Sequence, residues 1–276
     1  MEPRRVTLDA LRERSHELTR KRPGYAPLLD FYLAVREVQQ ASRAEIGTLS
    51  QESSKPESPF PFDAGAASRL FLVLCELGRT ANRHFASEVE KIESCIATGS
   101  LDLTGVLAAA EHSAETGRAA SEMGLDERVL SFLVSQSLRP SIEVVRDRMM
   151  ARLNPEAWRE PLCPICNSPP TLSLLKGEPA LRYALCSHCG CQWRVDRMSC
   201  LACGNTNHKT LSHFHGEGEG GTRIDLCDNC HSYIKTIDVR GFETADACLE
   251  DLATQHLDLI ATQKDFSRVV SNVWCD

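Results

Sequence analysis

The stretch "LCSHCGCQWRVDRMSCLACGN" (residues 185–205) holds two pairs of cysteines, each with two residues between its members. A C-x-x-C pair forms a tight turn that aims both sulfurs at one point, so two pairs can close a tetrahedron of four sulfurs around a metal ion. The same spacing occurs on both sides of the stretch. The candidate metal ligands are therefore Cys163, Cys166, Cys186, Cys189, Cys200, Cys203, Cys227 and Cys230.

The intervals between the pairs indicate how the sites are built. Nineteen residues separate the first pair from the second, and twenty-three separate the third from the fourth. The first interval fits a four-cysteine ribbon and the second is slightly longer, so we expect one β unit that occurs twice in tandem. Interleaved pairing, first with third and second with fourth, would keep the ligands and change the topology, and it stays open.

The residue that follows each cysteine pair indicates whether the backbone can form the turn. Gly190 and Gly204 occupy this position in the second and third pairs, where a left-handed backbone is often needed. Asn167 tolerates that conformation, whereas His231 is less usual there. Four thiolates suit zinc and equally suit a single iron, so the residue types leave the metal open.

Composition limits the class of protein. The chain has 276 residues, is 42% hydrophobic and can bury one large core or two ordinary ones. It contains no apolar run of about 20 residues and its first residues are highly charged, so we expect a cytoplasmic protein without membrane insertion. Thiols are reduced in that compartment, and thirteen cysteines therefore favour metal binding over disulfides. A net charge of -7 argues against nucleic acid as the main partner.

Two patterns divide the chain. The N-terminal part has the apolar spacing of six or seven helices, with Asp63 as an N-cap and separate helices over 101–116, 126–138 and 141–153. Short apolar runs separated by Gly, Pro, Asn and Cys follow, as is typical of strands and turns, and the chain then returns to one helix. We predict an α+β protein: an N-terminal all-α helical domain (1–158), two tandem rubredoxin-like or zinc-ribbon β modules (159–198 and 199–240), and a C-terminal helix with a tail (241–276).

The cysteine-rich region contains a longer pattern, which runs from "CPICNSPP" through "LRYALC" and "QWRVDRMSCLAC" to "CDNCHSYIKTID". Besides the cysteines, the pattern includes Leu181, Arg182, Tyr183, Trp193, Val195, Arg197, Tyr233 and Lys235. In this pattern the region closely resembles the formate dehydrogenase accessory proteins of the FdhE type.

This resemblance implies a cytoplasmic factor for the maturation or activity of formate dehydrogenase, which binds the catalytic subunit of that enzyme. It also implies two rubredoxin-like sites formed by the same eight cysteines, with two metal ions for which iron is favoured and zinc is the alternative. Aromatic residues and Arg are enriched in protein interfaces, so we take Trp193, Arg197, Tyr233 and Lys235 as candidate partner-binding residues. A core position for Trp193 in its hairpin is equally well supported.

Two other classes of function compete with the accessory factor. A rubredoxin-like electron-transfer or redox-sensing protein would hold iron, and a nucleic-acid-binding zinc ribbon would show salt-dependent binding. The sequence has no Ser-His-Asp elbow, P-loop or dinucleotide fingerprint, so we expect no enzymatic activity.

Overall fold

The computed structural model describes residues 6–47, 60–109, 113–154, 157–216, 218, 221–240 and 246–274. These residues group into two compact units. One is helical and spans residues 30–147, and the other joins the described residues up to Leu29 with those from Arg148 onward. No described helix is both long enough and apolar enough to cross a lipid bilayer.

The helical unit contains four complete helices and most of two others. Three aromatic rings pack together in this unit: the ring centroids of Phe31, Phe85 and Phe132 are 5.8 to 6.0 Å apart. Phe71 and Leu74 are fully buried. The helices are α2 (Ala26–Glu45), α3 (Ala64–Ala81), α4 (Arg83–Ala97), α5 (Leu103–Ala109), α6 (Ser113–Met123) and α7 (Glu127–Met150).

The starts of these helices follow the sequence more closely than their ends. The predicted N-cap is confirmed, because the Asp63 side chain accepts a hydrogen bond from the backbone N–H of Ala66 at 2.9 Å. The single helix predicted over 101–116 corresponds to α5 and the start of α6, and residues 110–112 lie outside the described residues. The start of a helix is thus encoded locally by a side chain that satisfies free N–H groups.

Helix α7 corrects the prediction of two helices over 126–138 and 141–153, because it runs without a break through Pro140. Proline has no N–H to donate to the carbonyl of Gln136, four residues earlier. The side-chain amide of Gln39 on α2 donates to that carbonyl instead, at 2.9 Å, and both glutamines are buried. A side chain distant in sequence therefore satisfies the carbonyl that the proline leaves free.

A half-buried carboxylate joins the same two helices. Glu143 on α7 accepts hydrogen bonds from Arg36 at 3.3 Å and from Arg139 at 3.1 Å. Burial opposes ionisation of Glu143, but the guanidinium groups of Arg36, Arg139 and Arg146 outweigh that effect and lower its pKa to about 2. Glu143 therefore stabilises the helical unit in its charged form.

The second unit is built on one mixed sheet. The described strands pair in the order β3-β2-β1-β6-β5-β4, and β7 pairs with β6. Pairing is antiparallel except for β1 with β6 and β6 with β7, which are parallel. The strands are β1 (Pro170–Lys176), β2 (Leu181–Cys186), β3 (Gln192–Arg194), β4 (Leu211–His215), β5 (Thr222–Cys227), β6 (Ser232–Asp238) and β7 (Ser267–Arg268).

The strand order shows how the two predicted modules are joined. The first module contributes its third, second and first strands in that order across the sheet, and the second module repeats the same order beside it. The seam is the parallel pair of β1 and β6, where Leu172 lies opposite Lys235. The α+β class and the two cysteine modules are confirmed, and the modules form one continuous sheet.

Three helices pack in the same unit as the sheet. They are α1 (Leu8–Lys21), α8 (Ala247–Leu252) and α9 (Gln255–Gln263). Leu257 and Ala261 of α9 pack on Ile224 and Tyr233 of the sheet, and all four are buried.

Helix α1 belongs to the sheet unit, although the predicted helical domain over 1–158 includes it. Its Arg14 contacts both carboxylate oxygens of Glu250 on α8, with the Nη2 to Oε2 distance at 3.0 Å. Arg22, which follows α1, donates to the carbonyl of Ala253 at 2.9 Å. The predicted domain boundaries at residues 158, 198 and 240 stay predictions.

The predicted C-terminal helix is present as two shorter helices, with a break at Ala253 and Thr254. The Thr254 hydroxyl donates to the carbonyl of Glu250 at 2.8 Å. The buried ammonium group of Lys235 on β6 donates hydrogen bonds to the carbonyls of Asp251 and Thr254, at 3.1 and 3.2 Å. The break thus supplies backbone acceptors to a charge that the sheet buries.

Candidate metal centres

Each cysteine pair lies in a turn closed by a left-handed residue. The residue after the second cysteine has a φ of 58° at Asn167, 68° at Gly190, 73° at Gly204 and 53° at His231. The N–H groups of Asn167, Gly204 and His231 donate to the carbonyl of the first cysteine of their pairs, at 2.9 to 3.0 Å. The expected backbone is therefore present in all four turns, including the unusual one at His231.

The turns bring the eight predicted ligands into two clusters. The first consists of Cys163, Cys166, Cys186 and Cys189, and the second of Cys200, Cys203, Cys227 and Cys230, with the sulfurs of each cluster within 4.8 Å of one another. The first pair thus joins the second, and the third joins the fourth, so the interleaved alternative does not occur.

The separations between sulfurs suit a metal ion. Three sulfur pairs of the first cluster are 3.4 to 3.6 Å apart, and two pairs of the second are 3.6 and 3.8 Å apart. Metal–sulfur bonds of about 2.3 Å in a regular tetrahedron place the sulfurs about 3.8 Å apart. Each cluster can therefore hold one tetrahedral metal ion, and the identity of that ion does not follow from the distances.

Backbone amides offset the negative charge of the sulfurs. The N–H groups of Ile165, His188 and Ala202 lie 3.4 Å from the sulfur of the first cysteine of their pairs. In the second cluster the side-chain amide of Asn229 contacts the Cys203 sulfur at 3.6 Å. The same turn that aims the sulfurs also supplies donors to them, which favours thiolates.

The two clusters differ in exposure. Three of the four cysteines in the first are at most 2% exposed, and only Cys166 is half-buried. In the second, Cys203 is exposed and Cys230 is half-buried. Solvent and dissolved reagents therefore reach the sulfurs of the second cluster more readily.

The thiols of the second cluster ionise unequally. Burial raises the pKa of Cys200 to about 12. Burial also opposes ionisation of Cys203, but the backbone N–H of Asn205 and the Cys230 thiol donate to its sulfur and lower its pKa to about 7. A metal ion must displace protons from such thiols, so its apparent affinity rises with pH.

The candidate partner-binding residues require a correction. Trp193 and Lys235 are fully buried and Tyr233 is 3% exposed, whereas Arg197 is exposed. The Trp193 indole N–H donates to the carbonyl of Glu160 at 2.9 Å, in accordance with its alternative assignment to the core. Tyr233 and Lys235 are two residues apart on β6 and share the face covered by helices. The prediction that Trp193, Tyr233 and Lys235 form an exposed partner surface is wrong.

Sequence reasoning missed the structural role of a buried arginine. Arg182 on β2 is 3% exposed, and it donates to the carbonyl of Ser199 at 2.7 Å and to the Asp225 carboxylate at 3.1 Å. Asp225 also accepts the Thr236 hydroxyl at 2.6 Å. Arg182 therefore connects the first module to the turn of Cys200 and to β5, although only its place in the "LRY" run singled it out.

Helices followed by one sheet with two four-cysteine clusters define an α+β protein with paired rubredoxin-like centres. Comparison with known proteins shows which family this part of the chain resembles. Residues 162–197 match the family model described as FdhE, central domain, and residues 198–274 match the one described as FdhE, C-terminal domain. The cysteine-rich part of the chain is therefore similar to the FdhE family over both of its cysteine modules.

Individual relatives show the same similarity. The chain is 32% identical to the FdhE homolog of Aquifex aeolicus over 154 residues, which are 55% of this chain and 54% of that protein. It is 37% identical to the homolog of Shewanella oneidensis over 113 residues, 40% of this chain and 37% of the relative. These matches thus span about half or less of the length of the curated relatives.

A solved structure extends the likeness in fold to the whole chain. The crystal structure of the FdhE protein from Pseudomonas aeruginosa matches with a TM-score of 0.64 at 21% identity. The match covers 99% of this chain and 97% of that one. At this level of identity the comparison establishes the fold.

Proposed function

We propose that this protein is an accessory factor for the maturation of formate dehydrogenase, which binds the immature catalytic subunit of that enzyme in the cytoplasm. The observation that carries the proposal is that both four-cysteine clusters lie inside the matched FdhE central and C-terminal domains. The clusters hold the turns of a continuous sheet in place, and the sheet provides a rigid platform for the partner.

The eight clustered cysteines are the proposed metal ligands, with one ion in each cluster. Iron is favoured through the family resemblance, and zinc is the alternative because the same tetrahedral thiolates accept it. A bound zinc ion would stabilise the turns, and a bound iron would in addition supply a one-electron couple. The chain itself contributes the left-handed turns and the N–H donors that hold the thiolates.

Capture of the catalytic subunit by the full-length chain tests the proposal. The tagged protein, purified with its metal, is expected to retain the formate dehydrogenase subunit from the same source. Cys203→Ser removes a ligand of the second cluster and is expected to abolish the capture, whereas Cys95→Ser on α4 lies outside both clusters and should leave it unchanged. Capture that survives complete removal of the metals would refute the role of the clusters in the platform.

One observation favours a second function, rubredoxin-like electron transfer. The exposed Cys203 places a sulfur of the second cluster at the surface, where a redox partner can approach it. Metal content and the visible spectrum of protein purified without oxygen and then exposed to air separate the two functions. Iron with reversible thiolate-to-iron bands supports electron transfer, and two zinc ions without colour eliminate it.

A further inference from the structure

A cavity of about 340 Å³ lies at the end of the sheet away from the cysteine clusters. Strands β1 and β6 are parallel, and each begins a few residues after a cysteine turn and ends at this cavity. Seven residues of strand span about 20 Å, so the cavity is separate from both metal centres. Its walls come from the turn after β1, the start of β5, the end of β6 and the segment after β3.

Three arginines from different segments line this arginine cavity, namely Arg197, Arg223 and Arg240. The carboxylates among the described residues that line it are Glu178 and Asp238, so these residues bring three positive and two negative charges, a formal charge of +1. The whole chain carries -7, so the cavity is a positive site on an acidic protein. Such a site attracts anions.

The two acidic groups nearest to Arg223 and Arg240 are already engaged. Asp238 contacts Arg240 at 2.6 Å. Arg223 contacts Asp225 at 2.7 Å, and that carboxylate is shared with the buried Arg182 at 3.1 Å. Two guanidinium groups thus face one carboxylate, and a positive charge remains beside the cavity.

Of the three arginines, Arg197 has the guanidinium group that is least engaged with other groups of the protein. It is exposed, and within the described part of the chain its guanidinium makes one hydrogen bond, to the carbonyl of Pro179 at 3.3 Å. A guanidinium group presents a planar fork of donors that matches the oxygens of a carboxylate or a phosphate. Thr222 and His215 add polar groups to the same wall.

We propose that the arginine cavity binds an oxyanion, a phosphate or carboxylate group, through Arg197 with support from Arg223. Its volume lies at the lower end of the range for ligand pockets and exceeds that of a bare ion, so the group can belong to a small molecule or to an acidic side chain. The ligand bridges both modules, because Arg197 belongs to the first and Arg223 to the second. This site is independent of the proposed accessory function.

Isothermal titration calorimetry of the full-length, metal-loaded protein at low ionic strength tests the site. The probes are inorganic phosphate and a capped peptide with several glutamates, each against a matched chloride control. Saturable binding of at least one probe is expected, with at least tenfold lower affinity in Arg197→Gln. Arg152→Gln removes one exposed positive charge outside the cavity and should bind like the unmodified chain.

The two probes identify the source of the oxyanion. Phosphate binding without peptide binding indicates a free small anion, and peptide binding that phosphate competes away indicates an acidic side chain. Arg197→Lys keeps the charge without the planar fork and should bind with intermediate affinity. Absence of binding by both probes, or equal loss in the two glutamine variants, overturns the proposal. Unchanged tryptophan fluorescence verifies that each variant is folded.

Discussion

Replacement of Lys235 by methionine removes the charge at the centre of a buried network while nearly keeping the shape of the side chain. The Lys235 ammonium group lies 2.6 Å from the carboxylate oxygens of both Asp251 and Asp258. It also donates to the two carbonyls at the break between α8 and α9. The variant therefore leaves the buried carboxylate of Asp251, the half-buried carboxylate of Asp258 and two carbonyls short of a donor.

The magnitude follows from what remains in the network. Removal of one partner from a buried ion pair costs about 3–5 kcal/mol. Asp251 keeps Arg268 at 2.7 Å and Asn272 at 2.7 Å, so its charge stays partly compensated. We therefore expect the lower end, about 3 kcal/mol, in the free energy of unfolding of the sheet unit. For a unit of roughly 150 residues this corresponds to about 6–12 °C in Tm.

Intrinsic tryptophan fluorescence is the assay, because all three tryptophans of the chain belong to the sheet unit: Trp158, Trp193 and Trp274. Urea unfolding of metal-loaded protein at neutral pH gives the change in free energy. Lys209→Met removes an exposed lysine of the same unit and should change stability by less than about 0.5 kcal/mol. A loss below about 1 kcal/mol in Lys235→Met would refute the assignment of the network as a stabilising contact between the sheet and its helices.

Three further variants test other local interactions. Gln39→Leu should cost about 1–3 kcal/mol in urea unfolding followed by circular dichroism, because the Gln136 carbonyl loses its donor, and Pro140→Ala should reduce that cost by restoring an N–H. Glu143 has a pKa near 2 against an ordinary 4.5, so its contribution of about 3 kcal/mol is present above pH 4.5 and is lost as the pH falls towards 2. Glu143→Gln should remove this part of the pH dependence of stability. Gly204→Ala should cost about 1–2 kcal/mol and weaken metal binding in the second cluster, because the φ of 73° is unfavourable for a residue with a Cβ. The Cβ itself would meet no atom within 4 Å, so the cost comes from the backbone and not from a clash.

Each of these predictions has an outcome that would contradict it or a matched control variant. An equal loss in Gln39→Leu with and without the proline substitution would show that the glutamine does not serve the free carbonyl. An acid unfolding profile that Glu143→Gln leaves unchanged would contradict the ion-pair account. Gly24→Ala also places a Cβ in open space, at a residue without positive φ, and should be nearly neutral.

The sequence by itself determined the parts of this protein that depend on neighbours along the chain. The C-x-x-C spacing identified the eight clustered cysteines, and Gly190 and Gly204 indicated the left-handed turns that the structure contains. Asp63 identified the start of α3 for the same reason, because an N-cap satisfies N–H groups within one turn. Turns and caps are local, so a single sequence contains the information that specifies them.

The tertiary structure alone decided everything that rests on contacts between distant segments. It selected the sequential clusters over the interleaved ones, and it joined the two modules through the parallel pair of β1 and β6. It allowed α7 to continue through Pro140, because the side-chain amide of Gln39 on another helix donates to the carbonyl that the proline leaves free. It also buried Trp193 and Lys235 and left Arg197 exposed, although all three lie in the runs that carry the resemblance. Burial depends on what packs against a residue, and the spacing of residues along one strand does not identify that partner.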